Sequence, residues 1–212
     1  GHVSLIDVRV YGNQARGVTP MGAGIASTTG SLTLEGSEVH DNLLVAELRE
    51  GTAYGAGVYC SECSLTLHES TSIHANRIEG IGDGQVGGAG IAILNTSFAK
   101  LDEVVIDGNS IEQHVSLGAH ASGAGAVLIA SAAELTNVSI RDNGVSCSCS
   151  ASGCGAVIHG GGLTLRGAVA DVRGSAISDN VAQADAASGG VAVSTGAGAM
   201  VFSGGLTLRE TT

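Results

Sequence analysis

Large rings are almost missing from these 212 residues: there are 3 Tyr, 2 Phe and no Trp. A core or a sugar-stacking platform built from big aromatic side chains is therefore excluded, and small residues must fill the interior. A single proline rules out a proline-rich linker. Lysine occurs once, as Lys100, and the 20 acidic against 9 basic residues leave a net charge of −11. That balance opposes a phosphate backbone, so nucleic acid is not an expected partner. No run of eighteen apolar residues is present, and residues 1–20 lack both the charged start and the apolar stretch of a signal peptide. Direct membrane insertion by this segment is not expected, and any export signal is expected outside it. What the chain does have is glycine, 34 residues, and a hydrophobic fraction of 43%, which opposes a disordered reading.

Internal repetition organises that content. Asparagine follows a β-branched residue by three positions in Val10-Tyr11-Gly12-Asn13, Val39-His40-Asp41-Asn42, Ile73-His74-Ala75-Asn76, Ile106-Asp107-Gly108-Asn109, Ile140-Arg141-Asp142-Asn143 and Ile177-Ser178-Asp179-Asn180. Successive asparagines are 29, 34, 33, 34 and 37 residues apart. A glycine mark keeps the same beat: Gly22-Ala23-Gly24-Ile25, Gly55-Ala56-Gly57-Val58, Gly88-Ala89-Gly90-Ile91, Gly123-Ala124-Gly125-Ala126, Gly153-Cys154-Gly155-Ala156 and Ser188-Gly189-Gly190-Val191. From the third residue of each mark to its asparagine is 18 or 19 residues four times and 25 the fifth time, which predicts an insertion at that place in the fifth coil. An aliphatic residue stands eight before the asparagine at Leu5, Leu34, Leu101, Leu135 and Val172, and slips by one to Leu67.

Alternation such as Leu32-Thr33-Leu34 has the period of a strand with one buried face. Short strands between glycine-rich turns, with no crossover helix, predict an all-β fold: a right-handed parallel β-helix of about six coils of about 33 residues, forming one unit over 1–212. The chain opens and closes inside a repeat, so a piece of a longer protein is expected, stacking on neighbouring coils of the same parent. In such a stack the Ile/Val column points inward. The asparagines Asn13, Asn42, Asn76, Asn109, Asn143 and Asn180 are expected to take the left-handed conformation of a tight turn and to bond amide to amide between coils. The variable stretches 44–53, 79–87 and 112–122 are expected to leave one side as loops and to carry any function.

Candidate sites are few. Cys60 and Cys63 are expected to form a local disulfide, with Cys154 joined to Cys147 or Cys149 and one thiol left over; free buried thiols are the alternative. Disulfides imply an oxidising compartment. The register places His40, His74 and Asp107 in one column with Arg141 next. That trio is a weak metal candidate, set against a solvated column in which Asp107 pairs with Arg141. Asp142 and Asp179 stack as a minimal calcium candidate. Glu103 with Asp107, and Asp171 with Arg173, are the only groupings suggestive of acid–base chemistry, which is thin for an enzyme. Asn95-Thr96-Ser97 and Asn137-Val138-Ser139 fit the glycosylation sequon. No cofactor is expected.

The two repeated marks together resemble the repeat of chlamydial polymorphic outer membrane proteins, whose passengers carry a Gly-Gly-Ala-aliphatic and a Phe-x-x-Asn motif. Cys154-Gly155-Ala156-Val157 and Ala124-Gly125-Ala126-Val127 are closest to the first, and the six aliphatic-x-x-Asn segments to the second, with Ile or Val in place of phenylalanine. The departures point to the wider class of pectin-lyase-like surface proteins. The resemblance implies a non-catalytic structural or adhesive segment of a secreted or cell-surface protein, as in autotransporter adhesins. A glycan- or protein-binding module and a polysaccharide lyase or hydrolase are the alternatives.

Overall fold

Each period-two stretch becomes a strand, and the strands stack in register. A computed structural model describes residues 1–96 and 98–212; it contains 30 short strands and, among the described residues, no helix. Every strand pairing is parallel, and the strands fall into five sheets, A to E in the order the chain meets them. One coil runs through Gly30–Glu35 in sheet A, Glu38–His40 in B, Leu43–Glu47 in C, Gly51–Tyr54 in D and Val58–Ser61 in E. The chain is thus a parallel β-solenoid. Five complete coils lie between a first coil whose sheet D position is only a bridge at Met21 and a closing strand, Gly204–Arg209.

Burial follows columns, because the same position in successive coils faces the same way. Leu34, Leu67, Leu101, Leu135 and Val172 lie over one another in sheet A, and Val39, Ile73, Ile106 and Ile140 do so in sheet B. Each is at most 2% exposed, and burying one such side chain contributes about 1.5–3 kcal/mol. The slip at Leu67 is one extra residue in the corner after it: Glu69 and Ser70 both adopt positive φ, whereas Gly36 does so alone one coil earlier. The columns build two cores. Sheets A, B and E enclose a lobe of Leu, Ile and Val. Sheets C and D enclose a second one filled largely by Ala, Val and Cys, including Ala46, Ala53, Val86, Ala121 and Cys147.

The second lobe corrects the expectation of loops at 44–53, 79–87 and 112–122. These stretches carry Leu43–Glu47, Arg77–Ile81, Gly84–Gly87, Ser110–Val115 and Gly118–Ser122, all strands of sheets C and D. Small inward residues such as Gly80 and Ala46 hide the alternation there, so hydropathy alone reads those strands as connections.

Between the lobes runs a polar waist that joins the two repeated marks. Asn109 Oδ1 accepts from the Nδ2 and backbone N–H of Asn76, both at 3.0 Å, while its Nδ2 donates to Asn143 Oδ1 at 3.0 Å and to the Ile73 carbonyl at 2.9 Å. Asn42, Asn76 and Asn143 repeat this pattern, and Asn13 and Asn180 end it. The left-handed corner residue is not asparagine but its predecessor: Gly12, Asp41, Ala75, Gly108, Asp142 and Asp179 have φ between 51° and 66°. What asparagine supplies is its amide, which at Asn42, Asn76, Asn109 and Asn143 is buried and bonded to both neighbouring coils.

Opposite the amides of Asn42, Asn76, Asn109, Asn143 and Asn180 stands the last glycine of a glycine mark. A Cβ on Gly90 would lie 2.5 Å from the Gly125 carbonyl oxygen and 2.9 Å from Asn109 Nδ2; Gly57 and Gly162 are held likewise against Asn76 and Asn180. The contact also corrects the register of the last two marks. Ala126 pairs with Leu163 and Leu163 with Ala199, so the true marks are Gly160-Gly161-Gly162 and Gly196-Ala197-Gly198. Gly153-Cys154-Gly155-Ala156 and Ser188-Gly189-Gly190-Val191 instead enter sheet D strands. Gly162 precedes Asn180 by the regular 18 residues, and the fifth coil's extra length sits in the C–D corner around 150–154. Hydroxyls finish other corners: Ser37, Thr71 and Ser175 each donate to the carbonyl that ends the sheet A strand, at 2.7–2.8 Å.

Candidate binding groove

The turn from sheet D to sheet E is sharp because the first residue of each mark is a glycine at positive φ; a Cβ on Gly88 would lie 2.3 Å from the Ile91 carbonyl oxygen. This inward fold brings the outer faces of D and E toward each other along the solenoid axis. Their floor is apolar although it faces outward: Tyr54, Tyr59, Ala92 and Val127 are buried there, with Met21, Leu94 and Ile129 packed against them. The resulting groove, about 600 Å³, is lined by Thr52, Tyr54 and Gln85 from D, by Leu94, Ile129 and Arg166 from E, and by Phe202. A side chamber of about 250 Å³ shares Gln85, Arg166 and Phe202 and adds His120, Ser122 and His159.

Arg166 spans the groove. Its Nη1 donates to Gln85 Oε1 at 2.9 Å, two coils away. His159 stacks 6.5 Å from His120, meets Phe202 edge-on at 4.8 Å, and has Nδ1 3.0 Å from Thr195 Oγ1. Burial, then His120 and Arg166, holds His159 below the usual imidazole range, so its neutral form is favoured. Burial raises the Tyr54 hydroxyl above the ordinary phenol value, against the opposing pull of Arg166. Three of the chain's five Tyr and Phe residues thus gather in and under one groove.

The chain matches no known protein-family model, no curated protein and no solved structure.

The residues singled out from the sequence lie elsewhere. Cys60 is bonded to Cys63 and Cys149 to Cys154, the latter closing the lengthened C–D corner, while Cys147 is a buried free thiol whose pKa burial pushes up to about 11. His40, His74 and Asp107 do share a column. Tyr11 stacks on His40 at a centroid separation of 5.1 Å and His40 on His74 at 4.9 Å, with the ring planes nearly parallel, so the two imidazoles lie face to face. Arg141 Nη2 sits 3.3 Å from Asp107 Oδ2, as a cross-coil pair. Among the described residues no group of three His, Cys, Asp or Glu is arranged to hold a metal. Asp142 and Asp179 occupy successive exposed corners.

Glu103 is also a corner residue. It lines a depression on sheet A with Glu69, Lys100 and Asp102, where the lone lysine already faces Asp102 at 3.9 Å. Arg173 pairs with Asp171 on one strand and holds its carboxyl below the usual range. Asn137 is the left-handed corner of its sequon; Ser97 of the other sequon lies outside the described residues. None of the groove residues was legible as a site. The available signal is Arg166 itself, which breaks the outward column Ser61, Leu94, Ile129 with a charge.

Proposed function

We propose that this chain is a non-catalytic, rigid spacer and display segment of a secreted or cell-surface protein. The observation that carries the reading is the unbroken asparagine–glycine waist. Each internal coil is tied to both neighbours by four side-chain hydrogen bonds in addition to its parallel strand pairings, which resists bending and slippage between coils. Two disulfides support an oxidising location. The asparagine repeat and the Ala124-Gly125-Ala126-Val127 mark support kinship with chlamydial-type adhesive passengers. Cys154-Gly155-Ala156-Val157 no longer does, since it lies in a sheet D strand rather than at the D–E turn. The groove favours a binding module as the second reading.

Small-angle scattering tests the spacer: an elongated particle is expected whose length does not change with ionic strength. Incubation with acidic and neutral polysaccharides tests catalysis. Catalytic release of new unsaturated or reducing chain ends would refute the non-catalytic assignment.

A further inference from the structure

The cations of this chain are almost all spoken for. Arg9, Arg16, Arg77, Lys100, Arg141, Arg173 and Arg209 each lie within 4.0 Å of a carboxylate. Among the described residues the exceptions are Arg49, on an exposed corner, and Arg166. Arg166 is the unusual one. It is partly buried against an apolar, aromatic floor, its one side-chain partner is the neutral amide of Gln85, and no carboxylate lines either part of the groove; Glu50 and Asp83 line a separate depression on the far side of Thr52, Gln85 and His120. In a chain with 20 acidic residues, this is an anion-favouring island. A guanidinium with reduced access to water and no counter-charge forms strong, charge-assisted bonds to a carboxylate.

We propose that the D–E groove is a docking site for an extended acidic peptide segment of a partner protein, in which a Glu or Asp side chain displaces Gln85 from Arg166 and neighbouring apolar side chains lie on Leu94, Ile129 and Phe202. Charge complementarity selects the acidic residue. The floor selects a peptide over a sugar chain: Tyr54 and Tyr59 are buried, which leaves Phe202 as the one exposed Tyr or Phe ring lining the groove and a sugar chain without a stacking platform, whereas Leu, Val or Phe side chains bury favourably on Leu94 and Ile129. Ile129 and Arg166 are direct partners on adjacent coils, so the charged and apolar subsites are neighbours along the axis. The site rests on the solenoid geometry and not on the spacer reading, which scattering and turnover test separately.

The experiment is a random ten-residue peptide array probed with the whole chain and three variants. Retained peptides are expected to be enriched in Glu or Asp beside Leu, Val, Ile or Phe. Arg49→Gln should leave this profile intact. Arg166→Gln should weaken the best peptides about tenfold or more, the loss of a charge-assisted contact. Ile129→Glu, which supplies Arg166 with a carboxylate from the adjacent coil, should weaken them at least as much. Unchanged far-UV dichroism shows that a variant folds, and if Arg166→Gln does not fold, Ile129→Glu decides. No retained peptides, a profile indifferent to both groove variants, or Arg166-dependent retention of carboxylated oligosaccharides in place of peptides would each overturn the proposal.

Discussion

Replacing Asn109 by leucine removes one rung from the middle of the waist, and its cost can be worked from the geometry. Asn109 is 0% exposed and its amide makes four hydrogen bonds at 2.9–3.0 Å. Asn76 Nδ2 keeps the carbonyls of Val39 and His74, and Asn143 Oδ1 keeps the Asn109 backbone N–H, so those groups stay bonded. The backbone N–H of Asn76 loses the acceptor that Asn109 Oδ1 provides. Four lost bonds of about 1 kcal/mol each, with a further ~1–3 kcal/mol for a buried donor left unpaired, give a destabilisation of roughly 5–7 kcal/mol. The branched leucine must also fit where the amide approaches Gly90, which adds to that figure. Asn13 is exposed and only donates, twice, to Asn42 Oδ1, so Asn13→Leu should cost about 1 kcal/mol or less because water replaces it. In a chain of this length the gap corresponds to a melting-temperature difference of roughly 10–20 °C. Circular dichroism melts, with hydrogen exchange at the Asn76 amide reporting locally where a solenoid unfolds in parts, measure it. Equal shifts for the two variants would show that the amide column does not hold the coils together.

Three other perturbations probe separate links. Gly90→Ala should destabilise strongly, since its Cβ meets the Gly125 carbonyl and Asn109, whereas Gly144→Ala, with open space around it, should change stability by no more than about 0.5 kcal/mol; similar urea midpoints would break the link between the two repeated marks. Cys147 should resist alkylation at pH 8 in the folded protein and react as a single thiol after unfolding without reductant; prompt native labelling would contradict its burial. Asp83 accepts the backbone N–H groups of Leu117, Gly118 and Ser116 on the next coil, at 2.8–3.2 Å, which lowers its pKa. A carboxyl lowered on folding stabilises above its ordinary value near 4 and loses that contribution as pH falls through the folded value, so melting curves of the protein and Asp83→Asn should differ at pH 6 and converge in acid. Curves that stay parallel throughout would remove Asp83 from the account.

The recurrent Val/Ile-x-x-Asn and glycine marks determine the solenoid from sequence alone. A residue repeated at one beat falls into a column when coils hydrogen-bond to one another, and the columns of leucine, isoleucine and asparagine are where that beat places them. Side-chain chemistry also makes the Cys60 and Cys63 pair and the Asp107–Arg141 contact readable at short range or by register. The structure alone decided three things. It showed that the asparagine and glycine marks touch, because the two come together across the coil and not along the chain. It turned 44–53, 79–87 and 112–122 into a second lobe, because alanine and glycine bury well against close neighbours while leaving little periodic hydropathy to see. And it created the groove, because Gln85 and Arg166 are 81 residues apart and meet only when the D–E turn folds two outward faces together over two coils.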